Sequence, residues 1–220
     1  MKTFTFALGL AVAALLGGAS AARAADTVCS GVIKGTTITG NITVPVNASC
    51  TLPTVSISGN VQVLHNASLT VQAYEEPSTI GGNVQADRCA FTLLEGTVTV
   101  GGNLQIQNCA TKSGFAGPGI KIRGNFLCQN NLGPCEAWLG EVDGNIQVQN
   151  NRSTVASDVS LNTIRGNLQC LRNTPAPTHN AGPDWVTGNL EGQCSPTLGF
   201  AAVGTSIVTP RHPGSYAGGV

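Results

Sequence analysis

The stretch Val100-Gly101-Gly102-Asn103-Leu104-Gln105-Ile106-Gln107-Asn108 decides the fold, because versions of it recur along the chain. Gly-Asn pairs begin at Gly40, Gly59, Gly82, Gly102, Gly124, Gly144, Gly166 and Gly188, spaced by 19, 23, 20, 22, 20, 22 and 22 residues. Eight copies at a near-constant period of about 20 mark a solenoid. Aligned on the glycine, the position two before it is Ile38, Ile57, Ile80, Val100, Ile122, Val142, Ile164 and Val186. Two after it stand Ile42, Val61, Val84, Leu104, Phe126, Ile146, Leu168 and Leu190. The positions between are mostly polar, with Gln62, Gln85, Gln105, Gln147 and Gln169 three after the glycine. Apolar and polar residues alternating at period two describe a half-buried strand, whereas a helix would need period 3.6.

One such strand cannot bury its apolar face alone, so successive coils must stack into parallel sheets about 4.8 Å apart. The reading is all-β: a single-domain, right-handed parallel β-helix of about eight coils, a rod roughly 35–40 Å long at that rise. A leucine-rich repeat shares the period but wants Leu-x-x-Leu-x-Leu with an Asn, which Ile/Val-x-Gly-Asn does not match. Glycine suits a bend through positive φ or close backbone approach. The asparagine beside it tolerates the left-handed region and, stacked in register, can form an amide ladder along the rod. A second turn column, seven after the glycine, reads Asn47, Asn66, Cys89, Cys109, Asn131, Asn151, Asn173 and Ser195.

Residues 1–24 read as a secretory signal: Lys2, an apolar run from Phe4 to Gly17, then Ala22-Arg23-Ala24. The run is too short for a membrane span. The remaining chain carries nine basic and eleven acidic side chains, with no basic patch interleaved with aromatics, which argues against nucleic-acid binding. Residues 25–195 form the repeat domain, Ala25 to Lys34 its cap. Residues 196–220 form a C-terminal cap, Leu198 to Val203, and a flexible tail. Two segments rich in turn residues, Gly114 to Gly119 and Asn173 to Pro183, are expected to loop outside the core.

Eight cysteines in an exported chain read as four disulfides. Cys89 and Cys109 share a column on neighbouring coils and pair. Cys29 and Cys50 lie one coil apart and staple the cap. Cys128 and Cys170 share a column but have Val148 between them, roughly 10 Å of separation at two rises. Cys128–Cys135 and Cys170–Cys194 are therefore expected. The Cys-x-x-Cys and His spacings of a metal site are missing, and no cofactor is called for.

The most polar outward patch is Lys121, Arg123, Glu141, Asp143, Thr163 and Arg165. Its placement on an exposed parallel sheet resembles that of β-helix polysaccharide lyases. The resemblance implies calcium on acidic residues and an Arg or Lys abstracting a proton α to a uronate carboxylate. Calcium wants six to eight oxygens, and only Glu141 and Asp143 offer them. A surface ion ladder, Arg123–Asp143–Arg165, accounts for the same residues. His65, His179 and His212 share no coil, and no Gly-x-Ser-x-Gly elbow is present. Asp87, Glu95, Asp158 and Asp184 fall in different coils and columns, and Glu75-Glu76 in a loop, so no glycosidase pair forms. Trp138, Trp185 and Tyr74 are candidates for stacking on sugar rings or for covering the core edge. A Thr-x-Thr ice-binding face starts at Thr97-Val98-Thr99 but is broken by Lys121, Glu141 and Trp185. The sequons at Asn41, Asn47, Asn66 and Asn151 fall in the Asn columns.

The Gly-Gly-Asn-Leu-Gln coils, with Gly166-Asn167-Leu168-Gln169-Cys170, Asn173-Thr174-Pro175-Ala176-Pro177 and Gly188-Asn189 through Gly192-Gln193-Cys194, resemble uncharacterised secreted bacterial repeat proteins. That resemblance implies a β-helix and export, and brings no activity. The coil length is loosely similar to the bactofilins, which polymerise end to end but are cytoplasmic and cysteine-poor. The expected function is a secreted or surface-associated, non-enzymatic structural or adhesin-like module, with the periplasm as the other compartment. Its partner would be a polysaccharide or a surface protein. The rivals are a lyase-like enzyme using the charged patch, and a carbohydrate-binding module using the Gln62–Gln169 face with Trp138 or Trp185.

Overall fold

Alternating burial along each repeat makes strands, and a computed structural model of the chain describes them over residues 26–195. The expected signal segment and the expected cap and tail lie outside the described residues. In chain order the strands are β1 (Thr27–Val28), β2 (Thr36–Ile38), β3 (Ile42–Val44), β4 (Ser49–Pro53), β5 (Val55–Ile57), β6 (Val61–Val63) and β7 (Ser68–Ile80). Next come β8 (Val84–Asp87), β9 (Phe91–Val100), β10 (Leu104–Gln107), β11 (Ser113–Ile122), β12 (Phe126–Gln129) and β13 (Cys135–Val142). The last are β14 (Ile146–Gln149), β15 (Asp158–Ser160), β16 (Thr163–Ile164), β17 (Leu168–Leu171), β18 (Trp185–Val186) and β19 (Leu190–Gly192).

All pairings are parallel and join one coil to the next. One sheet has nine strands in the order β1-β3-β6-β8-β10-β12-β14-β17-β19. The other has the order β18-β16-β13-β11-β9-β7-β5-β2, with β15 on β13 and β4 on β7. Register follows the glycine frame: Leu104 faces Val84 on one side and Phe126 on the other. The eight strands from β3 to β19 bound seven complete turns, so the count is about seven rather than eight. The two apolar columns close on each other, with Ile42, Val61, Leu104, Phe126, Ile146 and Leu168 fully buried.

The repeat glycine is required by proximity. A Cβ on Gly124 would lie 2.5 Å from the Asn103 side-chain oxygen and 2.8 Å from the Gly102 carbonyl oxygen. The asparagines following it form the expected ladder without leaving ordinary backbone space. Asn125 donates its backbone N–H (2.8 Å) and side-chain Nδ2 (3.1 Å) to Oδ1 of Asn103, and the backbone bond repeats from Asn60 to Asn189. Each such bond contributes on the order of 1 kcal/mol net.

Left-handed backbone occurs in the other column, which proves to be two. Asn47, Asn66, Arg88, Asn108, Asn130 and Asn150 have φ between 53° and 61°. From the third copy onward this turn position shifts from seven to six after the glycine, and the residue after it turns inward. That places Cys89, Cys109, Asn131, Asn151 and Asn173 inside the rod. There a second ladder runs with opposite polarity. Asn131 donates its N–H to Asn151 Oδ1 (2.9 Å), and Asn151 donates to Asn173 Oδ1 (3.1 Å).

All four expected disulfides are present: Cys29–Cys50, Cys89–Cys109, Cys128–Cys135 and Cys170–Cys194. Three expectations about segments are corrected. Gly114 to Gly119 belongs to β11, and Phe115 is fully buried against Phe126 with centroids 5.0 Å apart. Its aromatic ring fits because Gly140 on the next coil has no side chain to overlap it. Glu75 and Glu76 lie within β7, exposed where its register with β9 shifts between Ala73 and Ser78. Asn173 to Pro183 follows the preceding coil through bridges Arg152↔Thr174 and Asp158↔Thr178 instead of bulging away.

Candidate functional site

The ten-stranded sheet carries the charged patch in two adjacent outward columns. One runs Thr37, Ser56, Thr79, Thr99, Lys121, Glu141, Thr163, Trp185. The first four are hydroxyls, after which charge takes over. Arg123, Asp143 and Arg165 follow two residues further on. Lys121 Nζ donates to Glu141 Oε2 at 3.0 Å, and Arg165 Nη2 reaches Glu141 Oε1 at 2.7 Å. Arg165 Nη1 lies 3.5 Å from Asp143 Oδ1. The expected Arg123–Asp143–Arg165 ladder is therefore corrected to Lys121–Glu141–Arg165–Asp143. Arg123 forms no ion pair among the described residues, though its charge reaches Glu141. The Lys121 hydrogen bond, with the charges of Lys121, Arg165 and Arg123, holds the Glu141 carboxyl below the usual range despite partial desolvation. A carboxylate so neutralised is a poor base and a poor free ligand.

Stacking creates one pair that the sequence reading missed. Glu136 faces Asp158 across adjacent strands, and both line a shallow cleft of about 200 Å³ with Lys112 and Asn180. Lys112 Nζ already pairs with Glu136 at 2.6 Å, and Asp158 accepts from Ser160 Oγ at 2.5 Å. The signal was available, since both acidic residues stand eight before a repeat glycine. Asp184 is also more unusual than its sequence suggested. It is 1% exposed, and its Oδ1 accepts the backbone and side-chain N–H of Asn162, each at 2.8 Å. Its Oδ2 is buried with no partner among the described residues. Burial pushes its carboxyl up to about 7, against the two Asn162 bonds that pull it down, with the Asp158 charge adding to the rise.

The nine-stranded sheet presents a different outward face. One column reads Thr43, Gln62, Gln85, Gln105, Leu127, Gln147, Gln169, Glu191. Beside it stand Asp87, Gln107, Gln129, Gln149 and Leu171. Some amides bond along the rod, as Gln85 Nε2 to Gln105 Oε1 at 3.2 Å and Gln149 Nε2 to Gln169 Oε1 at 2.5 Å. Two shallow concavities of about 300 and 250 Å³ lie over this face and share Gln62 and Gln85. Trp138 and Trp185 belong to β13 and β18 of the other sheet, so the expected joint surface of Gln62–Gln169 with a tryptophan does not form. Trp185 is half-exposed, and the Trp138 indole N–H is buried without an acceptor among the described residues.

The histidines remain apart as expected, His65 at the edge of the amide face and His179 on the far coil, while His212 lies outside the described residues. Among the described residues no helix is long and apolar enough to cross a membrane, and no group of three or more His, Cys, Asp or Glu is placed to hold a metal ion. No family model, curated protein or solved structure matches the chain.

Proposed function

We propose that this protein is a secreted or surface-displayed, non-enzymatic β-solenoid that works as a structural and interaction module of the adhesin kind. The observation that carries the reading is that the charged groups of the ten-stranded face form registered columns bonded to the coil above or below. Lys121, Glu141, Arg165 and Asp143 neutralise one another along the rod instead of converging on a point where a substrate atom would sit. Catalysis needs donors and a base within hydrogen-bond reach of one reacting centre. Four disulfides suit an oxidising compartment and support export. Seven stacked turns closed by cross-links make a stiff scaffold, which is what a displayed surface needs.

The test is a turnover screen of the oxidised protein lacking residues 1–24, with calcium, against polyuronides and neutral polysaccharides. Unsaturated ends are followed by ultraviolet absorbance and new reducing ends by colour reaction. The expected result is no product from any polymer. Product that disappears in Arg123→Ala or Asp143→Ala would overturn the reading in favour of lyase chemistry on the charged face. Product lost instead in Glu136→Gln or Asp158→Asn would point to the cleft.

A further inference from the structure

The outward face of the nine-stranded sheet carries amides whose bonds along the rod leave much of their capacity spare. We propose that it binds an extended, neutral, β-linked polysaccharide lying along the axis of the solenoid. This deepens the reading of the protein as a non-enzymatic interaction module and rests on it.

A glutamine amide offers two donors and two acceptor lone pairs. Eight glutamines stand in two neighbouring columns of this face. Gln62, Gln107 and Gln129 make no side-chain hydrogen bond among the described residues, and the rod-wise bonds of the others use only part of their capacity. Water fills that capacity in the free protein, and a partner that both donates and accepts at close intervals can take its place; hydroxyl-rich sugar is such a partner.

Charge narrows the class. The only charged side chains in these columns are Asp87, whose carboxylate pairs with Arg88 at 3.1 Å, and Glu191, which accepts from Gln169 at 2.7 Å. A polyuronide or a nucleic acid would meet one cation beside these columns, Arg88, and that one already pairs with Asp87, so little here steers or neutralises a polyanion. A protein partner is disfavoured on other grounds, since interfaces gain their energy from buried aromatic and apolar anchors and this face offers only Leu127 and Leu171 between its amides.

Shape gives the orientation. The two concavities share Gln62 and Gln85 in their linings, and between them they cover β3, β6, β8 and β10. Eight rungs at about 4.8 Å give a straight track of roughly 34 Å. An extended chain can contact it throughout, whereas a coiled polymer touches it only at intervals. Without an aromatic platform each sugar contributes little, so affinity must accumulate along the polymer.

The experiment is affinity electrophoresis of the oxidised protein, lacking residues 1–24, through gels containing hydroxyethyl cellulose, dextran or polygalacturonate. Hydroxyethyl cellulose should retard the protein, added salt should leave the retardation unchanged, and the other two polymers should have little effect. The triple substitution Gln85→Ala, Gln105→Ala, Gln107→Ala should weaken retention about tenfold, which corresponds to a loss of about 1.4 kcal/mol. Gln105→Glu, which keeps the side-chain size, gives a second measure should the triple variant lose its circular dichroism. Lys121→Ala with Arg165→Ala should retain the polymer fully. No retardation in hydroxyethyl cellulose, equal retardation of both face variants, or retardation by polygalacturonate alone would overturn the assignment while leaving the non-enzymatic reading intact. A dimer formed through this face, seen by light scattering and dispersed by Gln105→Glu, would also overturn it. Shortening of the polymer during the run would overturn the non-enzymatic reading itself.

Discussion

Asp184→Asn is expected to stabilise the protein, and the amount depends on pH. Asp184 occupies the place in an inner ladder that Asn162 occupies one coil earlier: Gly140 N–H donates to Asn162 Oδ1 at 3.0 Å, and Asn162 N–H donates to Asp184 Oδ1 at 2.8 Å. Asn162 completes its amide by donating Nδ2 to the Ala137 carbonyl at 2.7 Å, whereas Asp184 Oδ2 has no partner among the described residues. Burial raises its carboxyl from 3.8 to about 7. The sign follows from linkage: a carboxyl with a raised folded-state value stabilises fully below the unfolded value, and the stability is lost as pH rises from about 4 through about 7. About three units at 1.36 kcal/mol each set the loss at up to about 4 kcal/mol by pH 8. An asparagine cannot ionise, and its amide is expected to reach the Val159 carbonyl, the register partner of Ala137. For a domain of this size, about 2–4 °C of melting temperature accompanies each kcal/mol. Thermal melts at pH 5 and pH 8 should show the native protein weakening with pH and the variant nearly level, with the variant higher by several degrees at pH 8. Equal melts for native protein and variant at both pH values would refute the buried-proton argument.

Other expectations follow from the ladders and staples. Asn103→Ala removes the acceptor for two N–H groups of Asn125 and should cost about 1–2 kcal/mol in urea unfolding. Gly124→Ala drives a methyl into the Asn103 side chain and the Gly102 carbonyl and should cost about 1–3 kcal/mol by the same measurement. Replacing Cys89 and Cys109 together by alanine opens a loop spanning 20 residues and should cost about 3 kcal/mol, read as a lower urea midpoint. Lys121→Ala should change stability by less than about 1 kcal/mol, because the ion pair is partly exposed. The same change should raise the Glu141 carboxyl towards its ordinary value in an NMR titration, since its largest lowering influence is gone.

The repeat made the architecture readable because a solenoid turns sequence period directly into spatial column. The Ile/Val and Leu/Ile columns became the core, and the same frame paired Cys29–Cys50 and Cys89–Cys109, since residues one period apart are neighbours in space. It also set Cys128 too far from Cys170 to bond, which left Cys128–Cys135 and Cys170–Cys194. Where the frame was followed loosely, legibility stopped. Asn47 and Asn131 share an offset from the glycine, yet one is an exposed turn and the other a buried rung, because the turn moves by one residue between the early and late copies. Gly114 to Gly119 read as a loop on composition, but parallel pairing on both sides overrides propensity and carries Phe115 into the core. Glu136 and Asp158 are 22 residues apart in sequence and meet only through the parallel register of β13 with β15. The charged patch was legible as a patch, but its partners were not, because a long Arg165 side chain bypasses the offset rule and reaches Glu141.

The most direct test of the amide face as the working surface is an NMR titration of the isotopically labelled, oxidised protein with cello-oligosaccharides of increasing length. Shifts are expected in the side-chain amide resonances of Gln62, Gln85, Gln105 and Gln107, growing with oligosaccharide length and absent from Arg123, Arg165 and the indole of Trp185. Shifts confined to those three residues on the ten-stranded sheet, or no shift at any length, would contradict that assignment.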